Sequence, residues 1–97
     1  MLPVIFRPLA DADAVAAKAW YAGYSSEAAD RFVDALAEVV SLISEYPQAF
    51  QLVAGETRRA VLRRFPYAVY YRITSDAVIV LAVHGRQDPA HWKARAE

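Results

Sequence analysis

Tyr67-Ala68-Val69-Tyr70-Tyr71-Arg72-Ile73, then Thr74-Ser75-Asp76, then Ala77-Val78-Ile79-Val80-Leu81-Ala82-Val83-His84, is the stretch on which the fold turns. Aromatic and β-branched residues dominate both runs and a Thr-Ser-Asp turn divides them, the composition of paired strands. In the first run Tyr67, Val69, Tyr71 and Ile73 alternate onto one face and Ala68, Tyr70 and Arg72 onto the other, so one face is covered and the opposite one half open. Residues 78–83 are apolar on both faces, which predicts a central strand. A strand over residues 58–64 precedes these two, and the three are expected to pair as an antiparallel meander.

Upstream, Pro3 and Pro8 bracket Val4-Ile5-Phe6-Arg7, which reads as a short first strand. From Leu9 the apolar residues Ala12, Val15, Ala16, Ala19 and Trp20 recur at helical spacing, with Pro8 near the start and Asp11 and Asp13 favourable to the N-terminal dipole. This helix is expected to stop near Gly23. Ser25 or Ser26 then caps a second helix whose apolar stripe is Ala29, Phe32, Val33, Leu36, Val40 and Ile43, and Pro47 ends it. Residues 48–56 read as a loop that Gly55 helps to turn. The chain closes with Asp88-Pro89 and a short tail carrying His91, Trp92, Lys93 and Arg95. The expected fold is α+β in the order β-α-α-β-β-β, an N-terminal helical hairpin packed on a twisted antiparallel sheet and followed by a short C-terminal segment.

With 97 residues, 57% of them hydrophobic and 3 of them Gly, there is room for one domain over residues 1–97. No apolar run approaches the roughly 20 residues that span a bilayer, and residues 1–8 lack the basic and long apolar regions of a signal peptide, so a cytoplasmic protein without membrane contact is expected. The absence of Cys excludes disulfides, thiolate nucleophiles and sulfur-held zinc, and two His cannot build a rich metal site. Neither a metal nor a cofactor is expected. Net charge is zero but unevenly spread: residues 1–56 carry three basic against eight acidic side chains, and residues 57–97 carry eight basic against three acidic. A bipolar surface, with one side fitted to nucleic acid, phosphate or an acidic protein segment, is one consequence; mutual neutralisation of the halves is the other.

There is no Gly-rich phosphate loop, nucleophile elbow or His-Glu-x-x-His. The remaining chemistry is a basic and aromatic concentration: Arg58, Arg59, Arg63, Arg64, Tyr67, Tyr70, Tyr71, Arg72, His84, Arg86, His91 and Trp92. Guanidinium forks bind phosphate oxygens and rings stack on bases, and the same set suits an acidic peptide. Tyr67 and Tyr71 read as core with a hydroxyl at the edge. His84 reads as bonded to backbone or to Asp88, or as a proton shuttle beside Arg86.

The element order, taken with Arg64-Phe65-Pro66-Tyr67-Ala68-Val69-Tyr70-Tyr71-Arg72, resembles the RelE/ParE toxin superfamily. The likeness runs nearly end to end, through Val4-Ile5-Phe6, Tyr24-Ser25 followed by Ala28, Ala29, Arg31 and Phe32, and the closing His84-Gly85-Arg86-Gln87-Asp88-Pro89 with Trp92. The Arg-Phe-Pro-Tyr segment and the His-Gly-Arg ending are typical of the ParE-like branch. The resemblance implies the toxin of a type II toxin-antitoxin pair, of the kind tied to plasmid stabilisation, which arrests growth when unopposed. RelE-like members cleave messenger RNA on the ribosome, whereas ParE-like members poison DNA gyrase. Aligned with the RNases, Arg86 matches a catalytic arginine. Ala68, however, stands where a second arginine is expected, Trp92 where a tyrosine is expected, and Arg59 and Val61 where a lysine pair is expected. Loss of several groups that act together weakens catalysis by orders of magnitude.

The implied activity is therefore gyrase inhibition by binding rather than enzymatic chemistry, with Arg59, Arg64, Tyr70, Arg72, Arg86 and Trp92 as target-binding residues. The alternatives are a ribosome-dependent endonuclease using Arg64, His84 and Arg86, with ribosome and messenger RNA as partners, and a nontoxic interaction module. The resemblance also implies a cognate antitoxin, through which alone operator DNA is reached.

Overall fold

The first strand is short and flanked by prolines, so it needs a neighbour to form at all, and a strand more than 70 residues later supplies it. In the computed structural model, which describes residues 1–85, β1 (Val4–Phe6) lies beside β5 (Val78–Gly85), with α1 (Pro8–Ala22), α2 (Ser26–Glu45), β2 (Gln51–Ala54), β3 (Thr57–Val61) and β4 (Tyr67–Ile73) between them in sequence. The sheet order is β1-β5-β4-β3-β2. The meander is antiparallel throughout, as expected, but β1 runs parallel to β5, with Ile5 opposite Ile79. The sheet is thus mixed rather than purely antiparallel. The long excursion through the helices and the meander brings β5 back in the direction of β1, and local composition carries no signal of that closure.

A second difference lies in the segment expected to be a loop. Residues 51–54 form the edge strand β2, paired with β3 across a two-residue turn in which Ala54 faces Thr57. Gly55 sits there at φ 53°, a conformation that glycine adopts without steric cost.

The helices cover one face of the sheet. Ser25 caps α2, its hydroxyl accepting the Ala28 N–H at 3.0 Å, and α2 ends at Glu45 before Pro47. Its buried residues are Ala29, Phe32, Val39 and Ile43. Val33, expected in the apolar stripe, is 39% exposed, and Val39 takes the inward position. The correction on α1 is larger, for Ala10 and Ala17 are buried while Ala12, Val15, Ala16, Ala19 and Trp20 all face outward. Because α1 is apolar nearly all round, spacing alone cannot tell which side meets the sheet.

Beneath the helices, Tyr67, Val69, Tyr71 and Ile73 of β4 join Ala60, Leu62, Val78, Val80 and Val83 in the main core, the face that alternation assigns them. β5 is interior, between β1 and β4. Its pairing with β4 shifts between Tyr70 opposite Ala82 and Tyr71 opposite Val80, which leaves Leu81 as the extra residue of a bulge. Beyond it the Asp13 carboxylate of α1 accepts the N–H of Val83 at 3.0 Å, fastening helix to strand where the ladder is irregular.

Tyr71 is fully buried, and its hydroxyl donates to the Pro47 carbonyl at 2.6 Å. Burial pushes its pKa up to about 12, against an opposing pull from Arg58. The folded pKa lies above the unfolded value near 10, so native protein holds a proton that unfolded chain has lost between those values. The Tyr71 contribution is complete below about pH 10 and is lost progressively toward about pH 12. Urea titrations at pH 8 to 12 are expected to show this alkaline loss in the native chain and a smaller one in Tyr71→Phe; equal slopes would exclude Tyr71 as its source.

Candidate functional site

The division of charge along the chain becomes a partial division in space. α2 carries Glu27, Asp30, Asp34, Glu38 and Glu45 on the helical side. The sheet carries Arg58, Arg59 and Arg72, and the β3–β4 turn carries Arg63 and Arg64. Arg63 reaches back to Glu38 at 3.7 Å, and Arg31 to Glu27 at 3.4 Å, both at exposed positions where an ion pair contributes little.

Three of the expected target-binding residues share the sheet face turned away from the helices. Arg59 stands opposite Tyr70 on β4, and alternation places Arg72 on the same side. Arg59 donates weakly to the Gln51 side chain at 3.5 Å, and Arg59 and Arg72 are both half-buried. Tyr70 is only 1% exposed and packs with Ala68, Ala82, Val53 and Ala54, so its ring supports this face. Arg58 points the other way, donating to the Phe50 and Gln48 carbonyls at 2.7 and 3.2 Å, and is a fastener of the α2–β2 connection.

Arg64 lies elsewhere, in the β3–β4 turn at φ 67°. With Arg31, Asp34, Glu38, Arg63 and Phe65 it lines an open hollow of about 530 Å³ beside α2. His84, opposite Ala68 in the sheet, instead borders a hollow of about 470 Å³ beside α1, which Asp13, Trp20, Tyr21 and Tyr67 also line. Between the two hollows stands an aromatic cluster. Phe32 packs against Tyr21, Phe65 and Tyr67 with ring centroids 5.4, 5.5 and 5.4 Å away. Burial, reinforced by Tyr67 and Tyr24, raises the Tyr21 pKa, so its hydroxyl remains a neutral donor and not a base at neutral pH.

The residues assigned to the endonuclease alternative therefore do not converge among the described residues: Arg64 and His84 line different hollows. Arg86 and Trp92, together with Asp88, Pro89 and His91, lie outside the described residues. No group of three His, Cys, Asp or Glu side chains placed to hold a metal occurs among the described residues, and no described helix is long and apolar enough to cross a membrane. The exposed apolar side of α1 is the feature that sequence spacing missed, since the same residues had been expected to face the core.

The chain resembles known proteins along most of its length. Relatives named Toxin ParE2 from two strains of Mycobacterium tuberculosis, CDC 1551 / Oshkosh and H37Rv, are each 38% identical over 82 residues, covering 79% of this chain and 75% of theirs. A solved structure described as the chromosomal ParDE TA system from P. aeruginosa matches the fold with a TM-score of 0.76 at 20% identity, over 88% of this chain and 96% of that one. The family model for the ParE toxin of the type II toxin-antitoxin system parDE matches residues 4–89, and with that the chain belongs to the ParE toxin family.

Proposed function

We propose that this ParE-type toxin arrests growth by binding DNA gyrase through its basic sheet side, without bond-making chemistry of its own, and that a cognate antitoxin neutralises it. The observation that carries the first part is the separation of Arg64 from His84. Phosphodiester cleavage needs an acid, a base and cations around one phosphate. These side chains face different hollows, whereas Arg59 and Arg72 share one sheet face and suit a binding surface. The antitoxin part rests on the edge strand β2, whose outer side presents backbone groups and Leu52, 52% exposed, and on the basic second half of the chain. An extended acidic segment is attracted by the charge and adds to a sheet edge by main-chain hydrogen bonds. Operator DNA is reached only through that antitoxin.

The decisive experiment is pulse-labelling of DNA and protein synthesis within minutes of inducing this chain alone in bacteria, beside an Arg59→Ala/Arg72→Ala variant. DNA synthesis is expected to fall first, with a DNA-damage response, and the double variant is expected to relax the arrest. Translation falling first, with messenger fragments, would establish the endonuclease reading instead. Undisturbed growth with the chain present and folded would establish a nontoxic module.

A further inference from the structure

We propose that the toxin pairs with a second copy of itself through the outer face of α1, the two helices running antiparallel. Ala10 and Ala17 of α1 are buried, with Ala14 and Tyr21 packed against the same core. The opposite side is left in solvent along the length of the helix, about 22 Å at 1.5 Å per residue. It is almost wholly apolar: Leu9 is 60% and Val15 62% exposed, and Ala12, Ala16, Ala19 and Ala22 are exposed beside them. A helix apolar on both sides is ordinarily covered on both sides.

The spacing and the charges name the cover. Pro8, Ala12, Val15, Ala19 and Ala22 succeed one another by four, three, four and three residues, the seam of a two-helix coil. The only charged residues of α1 along this face are Asp11 and Lys18. They are seven residues apart, so they lie on one edge of the seam two turns from each other. Neither makes an ion pair or a side-chain hydrogen bond among the described residues. A two-fold axis across the seam near Val15 lays each edge against the same edge of the copy running the other way. Asp11, four residues before Val15, then meets Lys18 of the second copy, which lies three after it, and the reverse contact forms by symmetry. A parallel pair sets this edge against the opposite one, with Leu9 and Ala16, and compensates neither charge. The face is therefore self-complementary in the antiparallel sense that a closed dimer requires. One helix per copy buries a modest area, so the pair is concentration-dependent rather than permanent.

Sedimentation equilibrium of the purified full chain from low to high micromolar concentration, at low salt, tests this. The mass is expected to rise from monomer toward dimer. Lys18→Glu sets two acidic side chains together at both ends of the seam and is expected to weaken the pair by about tenfold or more. The exchanged variant Asp11→Lys/Lys18→Asp is expected to recover it, and Val15→Glu to abolish it. All three changes are at exposed positions, and circular dichroism is expected to report an intact fold in each. A wild-type chain that stays monomeric throughout overturns the proposal, as it would if this face served only a different protein. A dimer indifferent to all three variants overturns it too, because the contact then lies elsewhere.

Discussion

Phe32→Ala is expected to lower the unfolding free energy by about 3–5 kcal/mol, the range for removing a large aromatic side chain from a closed core. Phe32 is fully buried, and its ring touches one aromatic from each of three other elements: Tyr21 of α1, Phe65 of the β3–β4 turn and Tyr67 of β4. Tyr21 and Phe65 also meet directly, with centroids 5.0 Å apart, so the void cannot be closed by moving one neighbour without disturbing another. A domain of this size is stabilised by only about 5–15 kcal/mol in total. Urea denaturation of the variant is therefore expected to show a midpoint reduced by about a fifth or more, and cells are expected to lose the protein and any growth arrest together. Phe32→Leu, which keeps most of the volume, is expected to cost about 1 kcal/mol. A loss below about 1 kcal/mol in Phe32→Ala would mean that the helical hairpin is held to the sheet by something other than this cluster.

That cluster also explains what the sequence made legible. The Arg-Phe-Pro-Tyr segment reads as a family motif, yet in the structure Phe65 and Tyr67 are structural residues that clamp the turn onto α1 and α2. Strand alternation in β4 and the Ser25 cap of α2 were readable because each depends on side chains within a few residues. β2 was not, because its four residues are too few to show a period beside Gly55 and become a strand only by pairing with β3. The parallel partnership of β1 with β5 joins residues more than 70 positions apart, with no local trace. On α1 the period was visible but not its phase: small apolar residues on every side leave the inward direction to be decided by Tyr21, whose ring stacks on Phe32 at 5.4 Å. Among the candidate site residues, alternation put Tyr70 and Arg72 on one face of their strand, but it took the β3–β4 register to bring Arg59 onto the same side. The separation of Arg64 from His84 needed the tertiary fold, since only the packing of α1 and α2 on the sheet sets the two hollows apart.

Arg64→Gly is expected to separate stability from the proposed growth arrest, with the native chain as the reference. Arg64 holds φ 67° in the β3–β4 turn, a left-handed conformation that costs an L-residue with a Cβ about 1–2 kcal/mol and glycine almost nothing. Some of that is offset by the greater freedom glycine gives the unfolded chain, so stability is expected to stay level or rise by up to about 1 kcal/mol. The side chain is exposed and makes no ion pair among the described residues, so no ion pair among them is lost with it. A strained backbone at an exposed arginine motivates the expectation that its side chain is used outside the fold. Growth arrest by Arg64→Gly is accordingly expected to need on the order of tenfold more protein, as for loss of a contact worth more than about 1 kcal/mol at a target. Arg64→Lys keeps a positive charge and the strained φ but loses the guanidinium fork, and it is expected to fall between the two. Thermal unfolding and a growth titration against expressed protein decide the matter. Full arrest by the glycine variant would remove Arg64 from the target contact, and a marked fall in its stability would show instead that the side chain serves the turn.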